Sequence, residues 1–385
     1  MNKLVNTDRP RILCVLPGLP DRNTGGGVLL YETLTYLLTR GTLHAVVPVA
    51  KHLEKAFAEL TAQADLQGIE WHSLRERLSG GISGKLLRLV SPTPAEVMKF
   101  ATVANHCVLE QARHICGATT ELVISSRATA PYPGQAISSN VRLYMMDIDP
   151  RIVRYDGPSL KRRITSAIEY PKVDRLCRRS LAAAGRVGAI SQADVAELNR
   201  MGGRSDVHYV PPLMRPRLTD RSSVDSFHVL ITTNFSYPPN IAALEWFLHK
   251  CWPHVDRRAR LTVTGIDVGD KLAWLCKQNQ RVTYAGCLPR NELDALFGRV
   301  SLAVNPTRSG SGFQIKLLEA IARGVPIVST AFSNRLGSAI PSSDDPHSMA
   351  ELINQRLIPG AVQPFDYAAF HQEATTAWDR FVFGE

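Results

Sequence analysis

The sequence predicts an α/β protein of two doubly wound, Rossmann-like domains in tandem, and three observations carry that expectation. At 385 residues the chain exceeds one ordinary hydrophobic core. Short apolar runs alternate with helical patterns, the rhythm of parallel sheets with helices on both faces. A break in composition interrupts that rhythm after about residue 209, and the rhythm then restarts.

The first unit opens with the apolar run Ile12 to Leu16 and the turn PGLPDRNTGGG. Helical spacing follows at Val28, Leu29, Leu30, Leu34, Leu37 and Leu38, closed by Gly41. Leu43 to Val49 is strand-like again and completes a β-loop-α-β unit. Further strands are expected at Glu121 to Ser125, Val141 to Met146 and Val187 to Ser191, with the amphipathic stretch Leu160 to Ala184 between the last two. Tyr209 to Phe227, with three Pro and a polar cluster, reads as a linker. Strand-like runs resume at Phe227 to Thr232, Leu261 to Thr264, Val282 to Ala285, Leu302 to Val304 and Ile327 to Ser329, with a helix at Ile241 to Leu248. The amphipathic tail carries Trp378, Phe381 and Phe383. The expected division is a domain over 1–212, a linker over 213–226, a second domain over 227–365, and a C-terminal helix over 366–385 packing back on the first domain. Such a tandem places a ligand cleft at the carboxyl ends of the sheets.

Composition narrows the partners. Hydrophobic content of 44% with 21% charged residues is that of a soluble protein. Seven Cys without a CxxC pair read as free thiols in a reducing compartment. The N-terminus lacks a signal-peptide pattern and no run reaches membrane-spanning length, so the expected location is cytoplasmic. The net charge of +10 concentrates in Arg75 to Lys99 and Arg151 to Arg179, where Lys and Arg mix with Leu, Ile, Val and Tyr. Solvated helix faces account for each run separately. A surface for anionic lipid headgroups accounts for both, which would seat the protein at the inner face of the plasma membrane. Nucleic acid is not expected, since zinc-finger spacing and RNA-binding aromatics are missing.

Two nucleotide folds fail on their own signatures. The turn PGLPDRNTGGG lacks G-x-G-x-x-G spacing, and the second strand ends VVPVAK with no acid for a ribose. G-x-x-x-x-G-K-[ST] is absent as well.

The stretch RVTYAGCLPRNELDALFGRVSLAVNPTRSGSGFQIKLLEAIARGVPIVST instead resembles the nucleotide-binding domain of GT-B glycosyltransferases, family 4 (group 1). That pattern runs through Pro-Ser/Thr, E-G-F-G-x-x-x-x-E-A and Gly-x-Pro-Val-Val. ITTNFSYPPNIAALEWF is similar to the opening of that domain in a surface-polysaccharide subgroup, and YMMDIDP and AISQADVAEL resemble segments of the N-domain. The resemblance implies transfer of a hexose from a nucleotide sugar, UDP by default, to a lipid-linked or polysaccharide acceptor. It further implies retention of configuration and no cofactor or metal. A sugar-nucleotide epimerase of the same fold and a non-catalytic nucleotide-sugar-binding partner are the alternatives.

Physical chemistry points to the same residues. Negative charge grows on the leaving diphosphate, and fixed N–H donors and cations stabilise it. Ser309-Gly310-Ser311-Gly312 can present backbone N–H groups, with a helix expected from Phe313. Lys316 falls in the first helical turn, where cations are disfavoured unless an anion is expected. Glu319 shares its face and resembles the family carboxylate that accepts the ribose hydroxyls. Arg308, Asn234, Leu288 and Phe313 complete the expected donor set. Two departures stand out: Ser311 replaces the usual Glu, and the loop Asn234-Phe235-Ser236-Tyr237 lacks the usual cations. The diphosphate grip is therefore expected to have moved to Arg308 and Lys316. On the acceptor side, Gly25, Gly26 and Gly27 read as a phosphate or acceptor loop. Asp147 and Asp149, at a strand end, could orient or deprotonate an acceptor hydroxyl, although capping the next turn serves equally. Arg127 could contact the diphosphate or pair with those acids.

Overall fold

The protein is described from a computed structural model over residues 9–22, 24–76, 91–117, 120–125, 139–148, 154, 159–266, 271–309, 313–358 and 365–384. The chain divides into two compact units, Met1–Leu213 with Ser311–Phe313 and Ala374–Glu385, and Met214–Gly310 with Gln314–Glu373.

The first unit contains β1 (Arg11–Val15), α1 (Gly25–Arg40), β2 (Thr42–Val49), α2 (Glu54–Thr61), β3 (Ile69–Arg75), α3 (Ala95–Phe100), α4 (Val103–Cys116) and β4 (Thr120–Ser125). After these come β5 (Val141–Met145), α5 (Leu160–Ala183), β6 (Arg186–Ala189), α6 (Gln192–Gly202) and β7 (His208–Tyr209). The strands form one parallel sheet in the order β3-β2-β1-β4-β5-β6-β7. Central strands buried on both faces must be apolar throughout, and Ile12 to Leu16 are fully buried. Leu13, Val15, Val46, Leu74, Val123 and Leu143 form one core with Leu109, Ala112 and Cys116 of α4. Sequence patterning misses β3, whose IEWHSLR is largely polar because it lies at the sheet edge, and β7, which spans two residues.

The second unit contains β8 (Asp225–Thr232), α7 (Pro238–Trp246), β9 (Arg260–Thr264), α8 (Lys271–Lys277), β10 (Val282–Tyr284), α9 (Arg290–Arg299), β11 (Val300–Asn305), α10 (Ile315–Ile321), β12 (Ile327–Ser329) and α11 (Pro346–Arg356). Its sheet is parallel, in the order β10-β9-β8-β11-β12. Val229, Ile231, Val263, Val304 and Val328 meet Phe247, Trp252, Met349 and Ile353 in its core.

The last helix, α12 (Tyr367–Val382), begins in the second unit, where the Tyr367 hydroxyl donates to the Met214 carbonyl at 2.7 Å. Its later turns belong to the first unit. There Trp378 is fully buried, donates Nε1–H to the Pro211 carbonyl at 2.9 Å and stacks at a tilt on Tyr144, 4.6 Å between ring centres. The Tyr36 hydroxyl donates to Asp379 at 2.6 Å, and Arg40 pairs with the same carboxylate. Among the described residues no helix is long and apolar enough to cross a membrane. The first turns of α5 expose Leu160 and Ile164 beside Lys161, Arg162 and Arg163.

Candidate functional site

The second sheet has a topological switch point. The chain runs from β8 outward through β9 to β10, then returns to β11 on the other side of β8 and continues to β12. Between β8 and β11 the crossovers leave in opposite directions, which opens a crevice at the strands' carboxyl ends. Thr233 follows β8 directly, and Thr307 lies two residues past the end of β11.

Lys316, in the first turn of α10, reaches that point. Its Nζ donates to Thr233 Oγ1 at 2.9 Å, Thr307 Oγ1 at 2.9 Å and Asn240 Oδ1 at 3.3 Å. All three ammonium donors therefore meet neutral oxygens. The acceptors are themselves fixed. The Thr307 hydroxyl donates to Asn305 Oδ1 at 2.8 Å, and Asn305 Nδ2 donates to Ser333 Oγ at 3.1 Å, all in a buried setting. Asn240 Nδ2 donates to the Asn234 carbonyl at 2.7 Å. Burial pushes the Lys316 pKa down to about 7, and the nearby Glu319 carboxylate pulls it partly back up. An incoming anion would restore the charge that burial disfavours.

Gly265, after β9, holds the same loop in place. Its φ is +147°, and a Cβ there would sit 1.7 Å from the Thr233 carbonyl oxygen. Gly265→Ala is expected to cost at least about 2 kcal/mol and to displace Thr233 from Lys316. Denaturant unfolding checks the first effect, and a crystal structure of the variant the second.

Glu319, one turn beyond Lys316, accepts from Arg290 NH1 at 3.2 Å. Arg290 Nε and NH2 are buried and have no hydrogen-bond partner among the described residues. The fully buried Arg323 donates to Asp294 from Nε at 2.8 Å and NH2 at 2.7 Å, and to the Glu319 carbonyl at 2.6 Å. α9 and α10 are thereby pinned together, and the Glu319 carboxylate is held by one cation with capacity left for further donors.

The other sequence-predicted residues fall as follows. α10 begins at Ile315, two residues later than expected, and Gly324 ends the segment in the left-handed region, φ +71°. Arg308 and Ser309 are exposed, and the Arg308 guanidinium lies over Trp246, 4.6 Å from the ring centre. Phe313 is buried, while Gly310, Ser311 and Gly312 lie outside the described residues. Asn234 serves the turn: its Oδ1 accepts from Ser236 N at 2.9 Å and Oγ at 2.6 Å. Leu288 is half-buried, two residues past Gly286, whose carbonyl accepts from Gly265 N and Thr264 Oγ1. Thr233, Asn240, Thr307 and Arg290 were not singled out from sequence. Only Thr307 had a signal there, as the Thr of the Pro-Ser/Thr motif.

In the first unit the switch point falls between β1 and β4. The triple glycine is not a loop, contrary to its reading from sequence. Gly25, Gly26 and Gly27 form the first turn of α1, because Thr24 caps it, its hydroxyl accepting from Gly27 N at 3.2 Å. The Asp21 carboxylate in turn accepts from Thr24 N and Oγ1, both at 2.6 Å. A Cβ at Gly27 would meet Asp21 Oδ2 at 2.0 Å, so a larger residue there would have to displace that carboxylate, whereas Gly26 faces open space. β5 ends at Met145, so Asp147 sits in the turn beyond the strand and not at its end, and its Oδ1 accepts from Ile148 N at 2.8 Å. Asp149 and Arg127 lie outside the described residues.

Residues 226–357 match the family described as Glycosyl transferases group 1. An uncharacterized 44.6 kDa protein in the cps region of Klebsiella pneumoniae is 26% identical over 131 residues, 32% of this chain and 34% of that protein, so the match spans about a third of that relative's length. Anabaena HepE, solved with UDP and glucose, superposes with TM-score 0.60 at 16% identity over 96% of this chain and 99% of that one. S. aureus TarM, solved with fondaparinux, alpha-GlcNAc-glycerol and UDP, gives TM-score 0.60 at 10% identity over 96% of each chain. WaaG, a glycosyltransferase involved in lipopolysaccharide biosynthesis, gives 0.59 at 11% over 97% and 95%. The fold is thus GT-B, and the sequence resemblance to group 1 glycosyltransferases holds.

Proposed function

We propose, from the premise that residues 226–357 are a glycosyl transferases group 1 domain in a GT-B fold, that this chain transfers a hexose from a nucleotide sugar to a glycan acceptor. One observation carries the reading: Lys316 is held by Thr233, Thr307 and Asn240 at the switch point, with Glu319 one turn deeper. In this assignment the diphosphate takes the place of one of these neutral acceptors at the Lys316 ammonium, which offsets the negative charge that grows as the bond from sugar to diphosphate breaks. The Glu319 carboxylate accepts from the ribose hydroxyls, its other oxygen steadied by Arg290. The absence of cations in the Asn234 loop then has an account, because that loop supplies neutral acceptors that hold the cation of α10.

UDP is the preferred nucleotide, since the solved relatives HepE and TarM carry it. Acceptor recognition is assigned to the first unit, at Gly25 to Gly27 and Asp147, with Asp147 orienting an acceptor hydroxyl. A lipid-linked or polysaccharide intermediate of the cell surface suits the Klebsiella cps-region relative and the α5 segment Leu160–Ile164, whose exposed Leu and Ile lie among Lys161, Arg162 and Arg163. The work is placed at the cytoplasmic membrane face, with configuration retained and with no metal in the transfer step.

The test is donor turnover by the full chain on UDP-sugars, with and without a bacterial lipid extract. Sugar transfer that requires the extract is the expected result. Donor isomerisation or hydrolysis without acceptor would assign the chain to the epimerases instead, and tight UDP binding without any turnover would make it a non-catalytic binder.

A further inference from the structure

At the edge of the first unit's sheet, β2 and β3 bring two imidazoles and a carboxylate to one point. The register pairs His44 with Glu70 and Val46 with His72, so period-two alternation sets His44, Glu70 and His72 on the same face. His44 Nδ1 lies 3.2 Å from His72 Nε2 and 3.6 Å from Glu70 Oε2, and His72 Nε2 lies 4.0 Å from Glu70 Oε1. One ligand atom from each residue falls within 4.8 Å of the others. The two rings are nearly parallel, 11° between planes, with their centres 5.5 Å apart. His44 is buried, His72 is largely buried, and Glu70 is the exposed member.

Two ring nitrogens 3.2 Å apart are within hydrogen-bond reach, and one neutral ring can donate its N–H to the other. That bond leaves the exposed Glu70 carboxylate 3.6 and 4.0 Å from the rings, whereas a metal ion in place of the proton would take a ligand atom from all three side chains. A tetrahedral zinc ion with Zn–N of 2.0–2.1 Å separates its ligand nitrogens by about 3.3 Å, close to the separation here. Glu70 would then close the third corner by a side-chain rotation.

We propose that His44, Glu70 and His72 bind a divalent transition-metal ion of the zinc type, with a fourth position left to water. Two imidazoles and one carboxylate are a borderline donor set that suits zinc and disfavours magnesium or calcium. The cluster sits in the amino-terminal half of both strands, whereas the switch-point residues lie past the carboxyl ends of theirs. Its role is therefore to fasten the polar edge strand β3 to β2, and it stands apart from sugar transfer.

The test adds zinc alone to metal-stripped full chain. About one equivalent should bind, and at a hundredfold excess over Kd the unfolding midpoint should rise by about 5 °C. His72→Gln and Glu70→Gln should each lose that equivalent and the rise, while UDP affinity stays unchanged. Cobalt in place of zinc should give visible d–d bands without a thiolate charge-transfer band, which separates this site from the exposed Cys107 and Cys287. Equal zinc uptake by wild type and both variants, no uptake by wild type, or a thiolate band that accounts for the bound cobalt would each overturn the proposal. Circular dichroism of the metal-free variants, if native, rules out loss of metal through misfolding. If one variant fails to fold, the other and the cobalt spectrum of the wild type decide.

Discussion

Lys316→Met is expected to lower sugar transfer by about 10²–10³-fold, the scale seen when one preorganised stabiliser of developing charge is removed. The same substitution should make the protein more stable at neutral pH. The sign follows from linkage. The folded pKa is about 7 against an ordinary value of 10.5, so between these values the unfolded chain binds the extra proton and wild-type stability rises with pH. The variant lacks that rise. Its advantage should be largest at and below pH 7 and should fade toward pH 10.5, as thermal unfolding across that range will read. Methionine fills the aliphatic path of the lysine, and Thr307 and Asn240 keep their bonds to Asn305 and to the Asn234 carbonyl. UDP binding offers a second readout. A diphosphate beside Nζ raises its pKa, so near pH 8 binding should take up a proton, and calorimetry in buffers of different ionisation enthalpy should detect it in wild type only. Equal proton uptake in the variant would place the diphosphate elsewhere.

Glu319→Gln is expected to weaken UDP binding by about 10–100-fold, the worth of hydrogen bonds to a charged acceptor. The loss should be selective. Wild type should prefer UDP over 2′-deoxy-UDP, and the variant should show little preference. If Glu319 served only to neutralise Arg290, both nucleotides would weaken alike. Arg290→Ala supplies the control: it removes the 3.2 Å contact while leaving the carboxylate, so affinity should fall less than in Glu319→Gln and the ribose preference should survive.

How far these residues could be read from sequence depends on the distance over which their contacts form. Lys316 and Glu319 stand three apart in one motif, so spacing alone set them on a common helix face. Thr233 and Asn240 could not be read that way. They meet Lys316 across 83 and 76 residues, by a sheet order that no local pattern encodes. The strand rhythm was legible wherever both faces are buried, as in Ile12 to Leu16. It failed at β3, where an edge position lets the strand be largely polar, and where Ser73 and Leu74 reverse the alternation that Ile69 to His72 begin. Gly25 to Gly27 were misread for a different reason. Three glycines argue against a helix by propensity, and the cap from Thr24, itself held by the Asp21 carboxylate, offsets that cost. The departure at Ser311 remains a statement about sequence, since the residue lies outside the described part of the chain.

The placement of Trp378 bears on how the chain is made. The first unit's sheet is encoded by the first 213 residues, yet the side chain that covers Tyr144 and closes over Pro211 comes from α12. On the ribosome, the sheet can therefore pair long before its last apolar surface is covered. During the interval in which the second unit is synthesised, Tyr144 and the backbone carbonyl of Pro211 await a tryptophan that has not yet been translated. Folding of the first unit should finish only after α12 has left the ribosome, and nascent chains halted before residue 378 should be the ones that engage chaperones.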